Sequence, residues 1–189
     1  MKRFFISMLA LAAIVSFAAC SNEDDEIEEK ENTGLLGNNE EPSLIGRWDF
    51  YIGDDVETAL AEGEHFLSVI FGSDNRMVYY IIRWGWRFEG SYSIEDGDGV
   101  YFEAEVGYEA HPNDAYDEYG VLVNDHWSAE DLDEETLELV DGFKWYDMSD
   151  WYFRQYQARI SCIGYGFLDD DIAQVATGFE EKMFMKRIK

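Results

Sequence analysis

The sequence is poor in several kinds of residue, and each shortage excludes a class of protein. Only 2 prolines and 16 glycines occur among 189 residues, which argues against a disordered or collagen-like chain. Two cysteines are too few for a disulfide framework. The 14 basic residues face 41 acidic ones, giving a net charge of −27, so we expect no nucleic-acid partner. Aromatic residues, in contrast, are abundant at 16%.

Residues 1–19 have the pattern of an export signal. The basic pair Lys2 and Arg3 precedes an apolar run that ends at Phe17. This run is too short to span a membrane as a stable anchor, so we exclude it from the fold. The residues from Phe17 to Cys20 resemble a bacterial lipobox. The resemblance implies that Cys20 becomes a lipidated N-terminus, which would hold the protein on a membrane.

The next segment, residues 20–42, is predicted to be an acidic disordered tether. Residues 20–41 contain nine acids and one lysine, and such a polar, like-charged stretch cannot bury a core. An acidic run directly behind a lipidated cysteine resembles the surface-export signal of some Gram-negative lipoproteins. We therefore expect an outer-membrane lipoprotein at the cell surface, with a periplasm-facing protein as the alternative. The second cysteine, Cys162, lies in an apolar run and is expected to be a buried, inert thiol.

The folded domain, residues 43–189, is predicted to consist of antiparallel strands. Between His65 and Tyr108, apolar side chains recur at every second residue, and turn-forming clusters interrupt the pattern at 72–75 and 96–99. This alternation is typical of antiparallel strands with one buried face. Its phase predicts that seven side chains point inward: Val78, Tyr80, Ile82, Trp84, Tyr92, Ile94 and Phe102.

The rest of the domain predicts two short helices and several more strands. Asp54 or Asp55 is placed to cap a helix that runs through Glu64, and a second capped helix is predicted over 169–177. Strands are predicted at 44–52, 119–123, 137–139, 159–167 and 183–188.

Several short motifs follow one another in a defined order along this domain. Gly46-Arg47-Trp48 opens the first strand, Gly90 to Ile94 and Val100 to Phe102 flank a turn, Leu137-Glu138-Leu139 follows, and a basic strand ends the chain. In this order the motifs resemble the lipocalin-like domains of bacterial surface lipoproteins, a group mostly without assigned function. The resemblance covers residues 44–140 and 181–188, and leaves about 141–180 as an insertion.

The resemblance implies a fold and an internal contact. The fold is an all-β, antiparallel, up-and-down (lipocalin-like) barrel of 8–10 strands with one or two short helices, which has no exposed sheet edges. The contact is a cation–π pair, in which Arg187 of the last strand stacks on Trp48 of the first. Gly46, Trp48 and Arg187 are the structural residues that the resemblance assigns.

The barrel interior is the first candidate site, because an eight-stranded barrel has room for its side chains or for one small ligand. The predicted ligand-binding residues are Tyr80, Trp84, Tyr92 and Phe102. A core filled by the same aromatic side chains explains the pattern equally well, and the sequence does not decide between the two.

The second candidate site is the aromatic stretch from Phe143 to Tyr156. Aromatic rings interleaved with polar residues suit stacking on a sugar or contact with a protein. The predicted interaction surface consists of Trp145, Tyr146, Trp151 and Tyr152. The alternative is a hairpin folded over one end of the barrel, since large exposed apolar patches are uncommon.

Neither a metal site nor a catalytic site is predicted. His111, Asp114, Asp117 and His126 match no zinc spacing, and the Asp96-Gly97-Asp98-Gly99 turn lacks the EF-hand pattern. Nucleophile-elbow and phosphate-loop motifs are absent from the sequence. We therefore expect a protein without cofactor or enzymatic activity.

Two functions remain as hypotheses. The first is a lipid-anchored lipocalin-like module that binds a small apolar or amphipathic ligand. The second is a surface interaction protein, in which a solid barrel presents the aromatic-rich insertion to a glycan or a partner protein.

Overall fold

A computed structural model describes residues 43–95, 99–157, 163–176 and 182–189. The predictions for the signal sequence, the tether and Cys20 lie outside the described residues, as does that for Cys162. The elements in chain order are β1 (Gly46–Gly53), α1 (Val56–Glu62), β2 (His65–Phe71), β3 (Arg76–Ile81), a 3-10 turn (Ile82–Trp84), β4 (Trp86–Glu95), β5 (Gly99–Pro112), a second 3-10 turn (Ala129–Asp131), β6 (Leu132–Asp133), β7 (Glu138–Leu139), β8 (Phe143–Asp147), α2 (Asp150–Gln157), β9 (Ile163–Phe167), β10 (Ile172–Ala176) and β11 (Lys182–Ile188).

Eight antiparallel strands close into a barrel, which confirms the predicted all-β fold. The wall runs β4-β3-β2-β1-β11-β10-β9-β5, and β5 pairs with β4 to close the circle. The first and last strands are neighbours, with Trp48 opposite Arg187 in the register. In the part of the chain that the structure describes, two short helices accompany the barrel.

The first and last strands are joined by the predicted cation–π pair. The guanidinium carbon of Arg187 lies 4.4 Å from the centre of the Trp48 ring. Arg187 also donates hydrogen bonds to the carbonyl oxygens of Ser43 and of Ile45, the latter at 2.5 Å. Gly46 has φ +121, and a Cβ there would lie 3.4 Å from Arg187 Nη1, so the glycine permits this close approach.

Strand β5 pairs with different strands at its two ends. Among the described residues, Gly99 and Val100 pair with β9, and the far end of β5 pairs with β8. Helix α2 follows β8 and lies against β5, with Phe153 next to Gly107. Its Phe153 stacks near Phe88 at 6.4 Å, so α2 packs on the barrel through an aromatic side chain.

The barrel interior is packed with apolar side chains. The largest fully buried ones include Trp48, Phe50, Phe88, Met77 and Met185. They belong to one contiguous cluster, against which Tyr79, Ile81, Trp86 and Tyr92 also pack. At about 25 cal/mol per Å² of apolar surface removed from water, this cluster is the main source of stability.

A second apolar layer lies on the outer face of β2 and β3. It contains Tyr80, Ile82, Leu132 and Leu137, with Ile70, Val78, Trp127, Leu139 and Trp145 packed around them. The segment that carries β6 and β7 thus covers the outside of the wall. Because both faces of β3 are covered, apolar residues occur on both of them. The alternation along β3 therefore does not show which face points into the barrel.

The predicted phase of the inward residues is therefore wrong for Val78, Tyr80 and Ile82. The period-two pattern crosses the 3-10 turn and Gly85, which has φ +60, and the chain changes face there. Met77 and Phe88 are in the interior, whereas Val78 and Tyr80 belong to the outer layer.

Farther along, Ile94 is 48% exposed. Val106 lies four residues after the buried Phe102, in phase with it, but is 41% exposed. The cause is a bulge in the β4–β5 pairing, where Glu89 lies opposite Val106 and Gly90 opposite Ala104.

Other predicted elements differ from those observed. The helix predicted over 169–177 is largely strand β10, whereas the α1 helix is confirmed with Asp55 as its N-cap. Residues 119–123 form a loop that contains a Tyr116–Leu122 bridge instead of the predicted strand. Strands β9 and β10, inside the expected 141–180 insertion, belong to the barrel wall.

Candidate functional site

The four residues predicted to bind a ligand inside the barrel do not come together. Phe102 is buried in the interior and stacks 6.3 Å from Tyr79, and Tyr92 packs edge-on against Phe71. Trp84 lies in the 3-10 turn at one end of the barrel. Tyr80 lies in the outer layer, so its predicted inward orientation is wrong.

Burial also affects the polar group of Tyr79 in the interior. Desolvation raises the pKa of its hydroxyl well above the usual value. The neutral phenol, packed between Phe88 and Phe102, is one more side chain that fills the space. Within the described residues, the barrel interior is thus occupied by its own core.

A buried polar network lies on the outer wall, and sequence reasoning missed it. The Ser68 hydroxyl donates to Asp49 Oδ1 at 2.6 Å and lies 2.9 Å from His65 Nε2. His65 Nδ1 lies 3.1 Å from Glu134 Oε2. Arg47 forms a forked pair with both oxygens of Asp49, at 2.8 and 2.9 Å.

The arrangement of Ser68, His65 and Glu134 has the connectivity of a hydrolase triad, but the position of the serine does not suit a nucleophile. Ser68 is fully buried, and its hydroxyl proton is directed at a carboxylate rather than at the histidine. Arg47 also donates to the carbonyl oxygens of Glu134 and Glu135. The network therefore attaches the β6–β7 hairpin to the barrel.

An open groove of about 570 Å³ lies outside the barrel, where three segments meet. The end of β5 supplies one side, the loop after it supplies a second, and the β8–α2 connection supplies the third. We call this the aromatic groove; its lining residues are Glu109, Tyr116, Leu122, Tyr146, Asp147, Ser149 and Tyr152.

Local hydrogen bonds fix the walls of the groove. The Tyr146 hydroxyl donates to the carbonyl oxygens of Pro112, at 3.1 Å, and Asn113, at 2.9 Å. The Asp117 carboxylate accepts from the backbone N–H groups of Tyr119 and Val121, both at 2.9 Å. The loop that carries Tyr116 and Leu122 is thus held in shape by its own polar groups.

The groove combines aromatic faces with negative charge. The Tyr116 and Tyr146 rings lie 4.9 Å apart. Burial, followed by the charge of Glu109, raises the pKa of the Tyr116 hydroxyl. Glu109 Oε2 lies 3.1 Å from Nε2 of the buried His111, whereas Asp147 is exposed to solvent.

Exposed apolar side chains lie in the segments that form the groove. Tyr119 is 81% exposed and Trp151 67%, and the Trp151 ring lies 5.0 Å from that of Tyr152. Val121 and Val123 are also exposed in the loop. Exposed aromatic residues around a concave surface are typical of an interaction site.

Three of the four predicted interaction residues lie at or beside this groove. Tyr146 and Tyr152 line it, and Trp151 adjoins Tyr152. Trp145 does not belong to it. Because side chains alternate along β8, Trp145 points to the opposite face from Tyr146 and packs 6.1 Å from Tyr80 in the outer layer.

The residues considered for metal binding are dispersed. His111 contacts Glu109, Asp114 accepts from Asn124, and Asp117 holds its own loop. In the part of the chain that the structure describes, no group of three or more His, Cys, Asp or Glu side chains is placed to hold a metal ion. Among the described residues, neither helix has the length and apolar character needed to cross a membrane.

No protein-family model and no curated protein matches this sequence. The case for a function therefore depends on the fold and on the geometry of the groove.

Proposed function

We propose that this chain is a lipid-anchored binding protein of the bacterial cell envelope, which binds its partner through the aromatic groove outside a solid barrel. One observation carries the proposal: Trp151, Tyr152 and Tyr119 are exposed around a preformed groove, at an energetic cost that a binding role explains. The partner is a glycan or a protein segment, either of which stacks on aromatic rings.

The rigid setting of the groove also supports this role. Tyr146 belongs to a strand and Tyr152 to a helix that pack on the barrel, and the loop that carries Tyr116 is hydrogen-bonded internally. A preformed site loses less conformational entropy on binding than a mobile one. The barrel thus serves as a scaffold for the groove.

A ligand inside the barrel, as the lipocalin-like resemblance implies, is less well supported. Trp48, Phe50 and Met185 occupy that space at 0%, 1% and 1% exposure. An apolar ligand would have to displace these packed side chains, and loss of such packing costs several kcal/mol by analogy with large core substitutions, about 2–5 kcal/mol each.

The lipid anchor is the other part of the proposal. The basic start, the apolar run and the small residues before Cys20 support it, and the acidic run behind Cys20 supports display on the outer-membrane surface. Protease treatment of intact cells tests this location: a surface protein is degraded, and a periplasm-facing one is protected.

Hydroxyl-radical footprinting of the full chain tests the groove. The chain is oxidised with and without a bacterial cell-envelope extract, and modification is measured at Trp151, Tyr152 and Leu168. Leu168 is the internal control because it is 54% exposed and does not line the groove. We expect protection of Trp151 and Tyr152 alone. Protection at Leu168 with unchanged groove residues contradicts the proposal.

A further inference from the structure

We propose that the aromatic groove binds a cationic side chain, a lysine or arginine in an extended segment of a partner protein; this inference depends on the proposed function of the groove. The inference depends on one arrangement in the groove. Two carboxylates, those of Glu109 and Asp147, line it together with the rings of Tyr116, Tyr146 and Tyr152.

Charge complementarity is the first argument. The segments that form the groove are strongly acidic, in a chain of net charge −27. Residues 109–125 contain no lysine or arginine, and Lys144 is the single basic side chain of residues 143–152. Their acidic residues are Glu109, Asp114, Asp117, Glu118, Asp125, Asp147 and Asp150. This field attracts a cationic partner and speeds its association.

The aromatic rings supply the second argument. A cation over a tyrosine face is attracted by the negative face of the ring. The molecule already contains one such contact, since Lys144 Nζ lies 4.4 Å from the centre of the Tyr146 ring. The rings of Tyr152 and Tyr116 line the same groove and present further aromatic surface.

The mixture of apolar and acidic groups favours a lysine or arginine over a neutral sugar. These side chains have a long apolar stem, which suits contact with Leu122 and Tyr152, and a charged head, which suits Asp147 and Glu109. Val121 and Tyr119, exposed in the same loop as Leu122, offer apolar surface to neighbours of that side chain in the partner segment. A sugar uses the rings but gains nothing from the net charge.

The test uses the full chain and a blocked pentapeptide, Ala-Leu-Lys-Leu-Ala, with its counterpart acetylated on the lysine amine. The single charge limits non-specific attraction to an acidic protein. Binding is followed by the NMR ring signals of Tyr146 and Tyr152. We expect both signals to shift with the lysine peptide, and the acetylated peptide to bind at least about fivefold more weakly.

Two isosteric variants make the test specific. Asp147→Asn is expected to weaken binding about two- to fivefold, because it removes an exposed ion pair. Glu103→Gln is the matched control: it removes one charge from the same strand as Glu109, roughly 20 Å away at about 3.4 Å per residue, and should leave the affinity unchanged. Higher salt should weaken binding to wild type.

The failures of the two proposals give different results. Equal binding of both peptides, or an equal effect of Asp147→Asn and Glu103→Gln, overturns the cationic ligand. Groove signals that shift with neutral oligosaccharides but not with the lysine peptide overturn it too, yet leave the groove as a binding site. Unshifted signals with every probe, together with an unprotected Trp151 in the footprint, contradict both.

Discussion

Replacement of Arg187 by methionine tests the contact that joins the first and last strands of the barrel. The methionine keeps an unbranched apolar stem but removes the guanidinium. That group stacks on Trp48 at 4.4 Å, donates to Ser43 O and Ile45 O, and pairs with Asp171 at 3.3 Å.

The magnitude follows from these contacts. A partly desolvated cation–π pair contributes about 0.5–2 kcal/mol. Hydrogen bonds from a charged group contribute about 1.5–3 kcal/mol each when buried, and we take the lower end because the Arg187 side chain is 18% exposed. The free energy of unfolding should fall by about 3–4 kcal/mol. The free energy of unfolding of Arg187→Lys should lie between those of Arg187→Met and wild type, because a lysine keeps the charge but cannot donate to several carbonyls in a fixed fork.

Urea denaturation followed by tryptophan fluorescence measures the loss. For a urea slope of about 2 kcal/mol/M, the midpoint should fall by about 1.5–2 M. Arg76→Met is the matched control, since its ion pair with Glu105 is exposed and should leave the midpoint nearly unchanged. Equal midpoints for Arg187→Met and Arg76→Met would refute the reasoning.

Three further predictions concern other parts of the chain. Asp49→Ala should destabilise the protein by about 3 kcal/mol in urea, because it leaves Arg47 and the buried Ser68 hydroxyl without their shared acceptor; a loss below 1 kcal/mol contradicts this. Burial raises the pKa of Tyr79, so the unfolded chain ionises there near pH 10 while the folded chain does not. The contribution of Tyr79 to the free energy of unfolding should be constant below about pH 10 and fall above it. Tyr79→Phe should reduce the slope of the free energy of unfolding against pH above pH 10 by about 1.4 kcal/mol per pH unit; an unchanged slope refutes this. Cys20→Ser should abolish lipidation, as measured by mass spectrometry of the mature N-terminus, and a lipid retained on the variant contradicts the proposed anchor.

The sequence predicted the fold class well, because alternation depends on local chemistry. Period-two apolar residues between His65 and Tyr108 do form strands, and the resemblance correctly brought Trp48 and Arg187 together. The phase of the alternation was harder to predict. A turn at Gly85 and a bulge near Gly90 each shift it, and neither has a strong signal in the sequence.

The second apolar layer was also beyond prediction from the sequence. It forms when the segment around Leu132 and Leu137 folds over Tyr80. No local sequence pattern shows which part of the outer surface of a barrel another segment will cover. The same reason explains why Trp145 was predicted to be exposed: its neighbour across space is Tyr80, 65 residues earlier in the chain.

The groove could be predicted only in part. The density of aromatic residues between 143 and 156 pointed to Tyr146, Trp151 and Tyr152. Glu109, Tyr116 and Leu122 were missed, because they come from a strand and a loop that only the folded chain places beside α2. The alternation of Tyr146 with Trp145 along one strand was the signal that could have separated a groove residue from a core residue.

The most direct test of a solid barrel with an external site is an NMR titration that observes both places at once. The methyl groups of Met77 and Met185 report on the interior, where these residues are 0% and 1% exposed. The rings of Tyr146 and Tyr152 report on the groove. Titration with the lysine pentapeptide, and separately with a soluble fatty acid, should shift the tyrosine signals with the peptide and leave the methionine signals in place with both. Methionine signals that shift with the fatty acid while the tyrosine signals never move would contradict the account.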